Sequence, residues 1–303
     1  MSVKRLIVFG DSLQDCGNLT KLLPLSAKAC HDGYFSNGKV AVYYLQEKLS
    51  HHYNTEVEIE NFAIAGALAA TLNPNPLLVD KALPVSMQID QFEHQMGRFK
   101  EGDVAVITGG GNNFFFSITP EFPYLHLSNL YRVANDLEAI TERLCRLGVK
   151  QILLSNVPDI TAVPVFNFMP EGKKIKKVAK RYYIQKLRNG LKHYYLHRLK
   201  KENIKLDRKI DFLKVKYRDS QIHLFDSFRF MKRVINKPFE FGFENATNPC
   251  ILSVGGFDLK GNIQTDEAIV VKENAETHLF WDLVHPTTKA HQVIANEWFK
   301  YFI

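Results

Sequence analysis

The sequence predicts an α/β fold, a three-layer α/β/α sandwich around a parallel sheet, on three observations. Short apolar or β-branched runs alternate with longer amphipathic stretches along the whole chain, which implies parallel strands joined by right-handed crossovers. The composition, 46% hydrophobic and 23% charged, can fill a sizeable core and excludes disordered and collagen-like classes. A length of 303 residues suits one domain built on one sheet, and no internal repeat or linker divides it.

The first run, Arg5-Leu-Ile-Val-Phe9, reads as a strand, and further strands are expected at 57–62, 104–108, 151–155 and 221–225. Helices are expected between them at 39–49, 89–99, 130–147 and 173–201, with a last one at 287–301. Within 130–147, Leu137, Ile140, Leu144 and Leu147 recur at i, i+3, i+7 and i+10 and form one apolar face. Such a chain is expected to build a sheet of flavodoxin-like type, whose sites form beyond the carboxyl ends of the strands.

Charge is unevenly placed. The net charge is +7, yet residues 173–218 hold 18 of the 39 Lys and Arg and only three of the 32 acids, so one basic, largely helical segment sits on an otherwise acidic protein. The apolar run before Gly10 is too short for the core of a signal peptide, and the apolar stretch 62–72 is too short to span a bilayer. Cys16, Cys30, Cys145 and Cys250 are scattered, without the clustering of a zinc site or a disulfide scaffold. The expectation is a chain with reduced thiols and no transmembrane segment, in the cytosol or exported by a route that reads no N-terminal signal.

Chemistry points to the two ends of the chain. The first strand runs into Gly10-Asp-Ser12-Leu, so Ser12 is expected where strand becomes helix, with its Oγ and its backbone N–H presented together at the sheet edge. Near the carboxyl end, Asp282-Leu-Val-His285-Pro puts an acid three residues before a histidine. Pro286 disfavours helical dihedrals at His285 and holds it on a loop, where Asp282 can accept from Nδ1. Donors for a tetrahedral oxyanion are available after the second strand, at Gly66, and after the third, at the Asn112 side chain. The run Gly109-Gly-Gly111 is no phosphate loop, since it lacks the Lys-Ser/Thr of one and is followed by Phe114 to Phe116.

Taken in order, Gly10-Asp-Ser12-Leu with Asp15, Gly17 and Asn18, then Gly66, Gly110-x-Asn112 and Asp282-x-x-His285-Pro-Thr, this sequence resembles the GDSL (SGNH) hydrolases over essentially its whole length. Phe35-Ser-Asn-Gly38, Asn156-Val-Pro-Asp-Ile, Asn236-Lys-Pro, Gly242-Phe-x-Asn-Ala-Thr and Phe280-Trp-Asp resemble the bacterial lipolytic branch, which includes phospholipases A, lysophospholipases and glycerophospholipid:cholesterol acyltransferases. The resemblance implies a serine ester hydrolase with Ser12 as nucleophile, His285 as base and Asp282 as its orienting acid. It implies an oxyanion hole of the Ser12 and Gly66 N–H groups and the Asn112 amide, with no metal and no organic cofactor. Many relatives carry Asp where Asn113 stands, a departure that puts the role of that side chain in question.

Apolar residues near the proposed centre, including Phe114, Phe115, Phe122, Tyr124, Val163 and Phe166, are candidates for holding an acyl chain. The partners implied are a lipid or other ester, and an anionic membrane met through the basic segment. Carboxylesterase or deacetylase action on small or sugar esters is the alternative within the class. A nucleic-acid-binding or otherwise non-catalytic basic protein would account for the charge but not for the ordered blocks.

Overall fold

The computed structural model describes residues 2–117, 127–166, 178–258, 261–271 and 274–303, with the side chains of 178–188 left outside the description. Five strands form one parallel sheet: β1 (Arg5–Phe9), β2 (Glu58–Asn61), β3 (Asp103–Ile107), β4 (Gln151–Ser155) and β5 (Gln221–Phe225). Their spatial order is β2-β1-β3-β4-β5, the flavodoxin-like order expected from the alternation. Arg5 lies opposite both Glu58 and Asp103, and its guanidinium donates to the Asp103 carboxylate through Nε and Nη2 at 3.0 and 2.8 Å, tying β1 to β3.

Both faces of the sheet are covered, and the period-two alternation of each strand decides which core each residue joins. Ile7, Phe9, Ala105, Ile107, Ile152 and Leu154 pack under α2 (Val85–Met96), α4 (Val133–Arg146) and α5 (Val178–Lys216). Leu6, Val8, Val104, Val106 and Leu153 pack under α1 (Ala41–Tyr53) and α7 (Thr288–Phe299). This is the three-layer sandwich the sequence predicts. The α4 stripe also packs as read, with Leu137, Ile140, Leu144 and Leu147 all buried.

Several elements differ from the sequence-based expectation. The turn after β1 never becomes a helix: the Asp15 N–H donates to the Asp11 carbonyl for a single turn, and Asp15 then takes up the next backbone donors and ends it. The helix expected at 173–201 is described from Val178 and runs to Lys216, while 173–177 lie outside the described residues. Its buried positions Tyr195, Leu199, Leu206, Ile210 and Leu213 continue the apolar stripe past residue 201, which is why it does not stop there. Two buried polar residues fix its register. The Asn203 side chain exchanges two hydrogen bonds with the backbone of Val157, and Glu202 accepts the Ala134 N–H.

Part of the positive charge of α5 is neutralised, through Lys209–Glu138 and Lys216–Glu142 across to α4 and Arg198–Glu202 within the helix. Four elements have no counterpart in the sequence-based expectation: the short α3 (Gly111–Phe115), α6 (Ser227–Asn236), and the strands β6 (Asn245–Pro249) and β7 (His278–Phe280), which pair with each other. Among the described residues no helix is long and apolar enough to cross a membrane. The four cysteines form no disulfide.

Candidate active site

Ser12, Asp282 and His285, from opposite ends of the chain, meet beyond the carboxyl edge of β1. The Ser12 hydroxyl and His285 Nε2 are 2.8 Å apart, and His285 Nδ1 lies 2.8 Å from Asp282 Oδ2. A neutral imidazole with its proton on Nδ1 satisfies both contacts, donating to the carboxylate and accepting from the serine. All three side chains are buried or nearly so, Ser12 being 9% exposed and His285 6%, which leaves the hydroxyl just within reach of a ligand.

Each member is held by backbone. Asp282 Oδ1 accepts the N–H groups of Val284 and His285, which bends the loop into position, while Oδ2 accepts the Gly255 N–H at 2.7 Å as well as the imidazole. Gly255 has φ +59°, and a Cβ there would stand 2.8 Å from the Phe35 ring and 3.4 Å from His285 Cε1. Neither Gly255 nor its role is legible in the sequence, whose only local signal is a pair of glycines in a loop. Phe35 covers the other side, its ring centroid 5.5 Å from that of His285. The rest of Phe35-Ser-Asn-Gly38 clamps the same segment: Ser36 Oγ donates to the Pro286 carbonyl, and Asn37 Oδ1 accepts the Thr288 N–H. Thr287 caps α7 through the Ala290 N–H.

On the amino-terminal side, Gln88 accepts the Gly10 N–H and donates to the Gly10 carbonyl, both at 2.8 Å, in a two-way bond that sequence reading missed. Asp15, fully buried, accepts four N–H groups, from Gly17, Asn18, Leu19 and Ala65. Burial pushes its carboxyl up to about 6 against the pull of those donors. Asp11 is raised too, by burial, while the Leu13 N–H and His285 pull the other way. Asn18 donates to the carbonyls of Asn61 and Ala63, and the Asn61 amide donates to Gln14. The loop that carries Ser12 and the loop after β2 are therefore tied together by side-chain-to-backbone hydrogen bonds.

The oxyanion candidates lie in this framework. Gly66 has φ +83°, a conformation reserved in practice for glycine, and its carbonyl is held by the Asn73 amide. Neither the Ser12 nor the Gly66 N–H donates to a protein acceptor among the described residues. Asn112 Nδ2 donates to the Ala67 carbonyl at 3.0 Å, which orients the amide and leaves its second N–H for a ligand. Asn113 is fully buried; its Oδ1 accepts the Ala69 N–H and its Nδ2 donates to the Asn129 carbonyl. A carboxylate could do the first of these but not the second, so Asn at this position gains a bond to the 127–131 segment.

A cavity of about 140 Å³ opens beside Ser12 and His285 and runs inward between the sheet edge, α6 and α7. Phe115 and Val163 line it, as expected, together with Met231, Val234, Phe243 and Val293. Phe114 does not. It is fully buried in the core beneath α5, its ring 6.2 Å from that of Tyr195, because neighbours on a helix point about 100° apart and Phe115 takes the cavity side. Phe166 stands behind Phe115 at 6.2 Å rather than on the cavity wall. Phe122, Tyr124 and residues 167–169 lie outside the described residues.

The family model described as GDSL-like Lipase/Acylhydrolase matches residues 6–298. Among relatives, a GDSL esterase/lipase of Arabidopsis thaliana is 24% identical over 97% of this chain and 90% of its own length. The thermolabile hemolysin of Vibrio parahaemolyticus is 23% identical over 97% of this chain, which spans 63% of the hemolysin. Of solved structures, the acetylxylan esterase Axe2 of Geobacillus stearothermophilus superposes with a TM-score of 0.44 at 14% identity, over 99% of this chain and 95% of that one.

Proposed function

The chain belongs to the GDSL-like lipase/acylhydrolase family and is a serine ester hydrolase, and from that premise we propose that Ser12, His285 and Asp282 cleave acyl esters of lipids. The observation that carries this reading is the unbroken line Ser12 Oγ, His285, Asp282 beside a mainly apolar cavity.

In this mechanism Ser12 Oγ attacks the ester carbonyl carbon as His285 Nε2 takes its proton. The C=O π bond opens to an oxyanion, held by the N–H groups of Ser12 and Gly66 and the Asn112 amide. Asp282 keeps the imidazole in the Nδ1–H tautomer and stabilises the cation formed. Collapse of the tetrahedral species breaks the C–O bond to the alcohol, which takes the proton from His285 and leaves. Water, or a second alcohol where acyl transfer occurs, then attacks the Ser12 ester by the same steps in reverse.

A mainly apolar cavity of about 140 Å³ has room for acyl groups longer than acetyl, and so favours a phospholipase A or lysophospholipase type of substrate over a sugar acetate. Contact with an anionic lipid surface fits the exposed Lys200, Lys201 and Arg208 on α5, because each cation near such a surface contributes about 1 kcal/mol. Lys173, Lys174, Lys176 and Lys177, which the same reading invokes, lie outside the described residues.

The test is to treat a mixed lipid extract with the protein and with Ser12→Ala and to follow the products by mass spectrometry. A fluorescent fluorophosphonate serves as the label for Ser12. Release of fatty acid by the native chain alone, with label on Ser12, is the expected result. Release of acetate from acetylated sugars with no attack on any lipid would replace the lipid reading by the deacetylase one.

A further inference from the structure

The cavity beside Ser12 is lined mainly by apolar side chains, and of the polar residues that also line it three carry buried atoms with no hydrogen-bond partner among the described residues: Thr108 Oγ1, both ring nitrogens of His291, and Trp298 Nε1. His291 and Trp298 are 1% and 2% exposed, so bulk water does not satisfy them. They stand seven residues apart on α7, two turns or about 10 Å along the helix axis, and both line the cavity. His291 is in the first turn of α7, close enough to His285 to feel its charge, and Trp298 stands two turns further along.

Buried polar groups in proteins are almost always partnered, and one that is not costs free energy until a ligand or an ordered water completes it. These three need different things. The indole is only a donor. A neutral imidazole offers one donor and one acceptor, and burial, with His285 adding to it, holds His291 down at about 3 so that it stays neutral. A hydrocarbon chain would satisfy none of them. A carboxylate would bring an unpaired charge into a site that has no Lys or Arg among its described lining residues and already holds Asp11. A hydroxyl, which both donates and accepts and carries no charge, matches a neutral histidine.

Which half of the ester enters the cavity follows from the reaction order. The alcohol must depart so that water can take its place, and therefore belongs on the open side. The acyl group stays bonded to Ser12 through the intermediate and belongs in the cavity.

We infer that the cavity selects acyl chains bearing a hydroxyl group, with His291 as the residue that reads it and Trp298 able to read a second oxygen further along. The inference rests on the hydrolase reading above, which supplies the acyl group and its attachment to Ser12. A site built to hydrogen-bond a substrate hydroxyl discriminates against the analogue lacking it far more strongly than an apolar pocket discriminates by size.

The experiment compares 4-nitrophenyl octanoate with its monohydroxylated isomers from C3 to C8, as kcat/KM on the full chain. At least one isomer should exceed the plain octanoate by about tenfold or more, a preference that identifies the position facing His291. His291→Phe should bring the ratio for that isomer close to one, and His291→Asn, which keeps a donor and an acceptor, should restore part of it. The ring nitrogens of His291, observed by ¹⁵N NMR in the native protein, should shift on forming the phosphonate adduct of the preferred hydroxyacyl chain and stay put with the unsubstituted adduct; this readout holds even if His291→Phe fails to fold. Equal kcat/KM for all the esters, or a ratio untouched in His291→Phe, overturns the inference while turnover of plain octanoate and labelling of Ser12 leave the hydrolase reading intact. No turnover of any ester and no labelling of Ser12 would remove both.

Discussion

On one side of Ser12, the loops at 10–18, 61–67 and 112–113 hold one another by side-chain-to-backbone hydrogen bonds: Gln88 on Gly10, Asp15 on four N–H groups, Asn18 and Asn61 on neighbouring carbonyls, Asn112 on Ala67. On the other side, Met231 and Val234 of α6 and Val293 of α7 face the cavity with Phe243 and Phe280, a mainly apolar wall that also holds the unpartnered atoms of Thr108, His291 and Trp298. Its hydrogen bonds are gathered at the start of α6, where Asn156 meets Asp226, Ser227 and Phe228. The contrast separates two tasks. A developing oxyanion is stabilised by dipoles already aimed at it, which requires a rigid polar frame. The hydrocarbon part of an acyl chain needs a shape and a dry surface, which apolar side chains supply, and a directional bond only where the chain carries a hydroxyl.

If the division holds, substitutions on the polar side should change turnover and those on the apolar side should change which substrate is used. The largest effect is expected from Ser12→Ala or His285→Ala, each removing activity by roughly 10⁶-fold, with the double variant little worse than either because they act as a unit. Pre-steady-state assays with an activated ester check this; native turnover in Ser12→Ala would abolish the assignment. Asp282→Asn is expected to cost about 10⁴-fold by releasing the imidazole tautomer, while binding of a substrate analogue is kept. Asn112→Ala should lower kcat by about 10²–10³-fold with little change in KM, since its contact strengthens as the oxyanion forms. A loss seen only in KM would move Asn112 from the polar frame to ground-state binding.

The apolar wall is tested by Val234→Phe, which shortens the cavity. It should reduce kcat/KM for long-chain esters about tenfold relative to acetyl esters, the order of discrimination that one or two methylenes give. An equal fall for both chain lengths would show that the wall supports the reaction centre itself. The smallest effect is expected at the back of the polar frame: Asn113→Asp loses the bond to Asn129 and should cost about 1–3 kcal/mol in unfolding experiments, with kcat nearly unchanged.

Much of the fold was legible because the signals are local. β1, β4 and β5 occupy the predicted residues, and the alternation within them, Leu6 and Val8 against Ile7 and Phe9, already divides the two cores. Where an element was missed, the signal was not in its own residues. The helix α6 is only ten residues long, so its apolar stripe of Phe230, Met231 and Val234, though clear, is too short to stand out from the loop around it. The single turn after β1 carries residues that would suit a helix start, yet Asp15 spends its oxygens on backbone donors from two loops.

By itself the sequence determined the layer architecture and the strand order to be expected, and through its resemblance to the GDSL hydrolases it pointed to Ser12, Asp282 and His285, the three side chains that the fold brings together. These rest on hydrophobic period, turn chemistry and the order of blocks, all properties of a chain read along its length. The tertiary structure alone decided that Gly255 completes the Asp282 carboxylate, that Gln88 grips Gly10 across 78 residues, and that Phe115 rather than Phe114 faces the cavity. Only there does it emerge that the cavity contains unpartnered nitrogens from a helix whose own sequence looks like an ordinary amphipathic one. Hydrogen bonds between distant loops and the facing of side chains into a shared void depend on where the backbone ends up in space, and no periodicity within a segment carries that information.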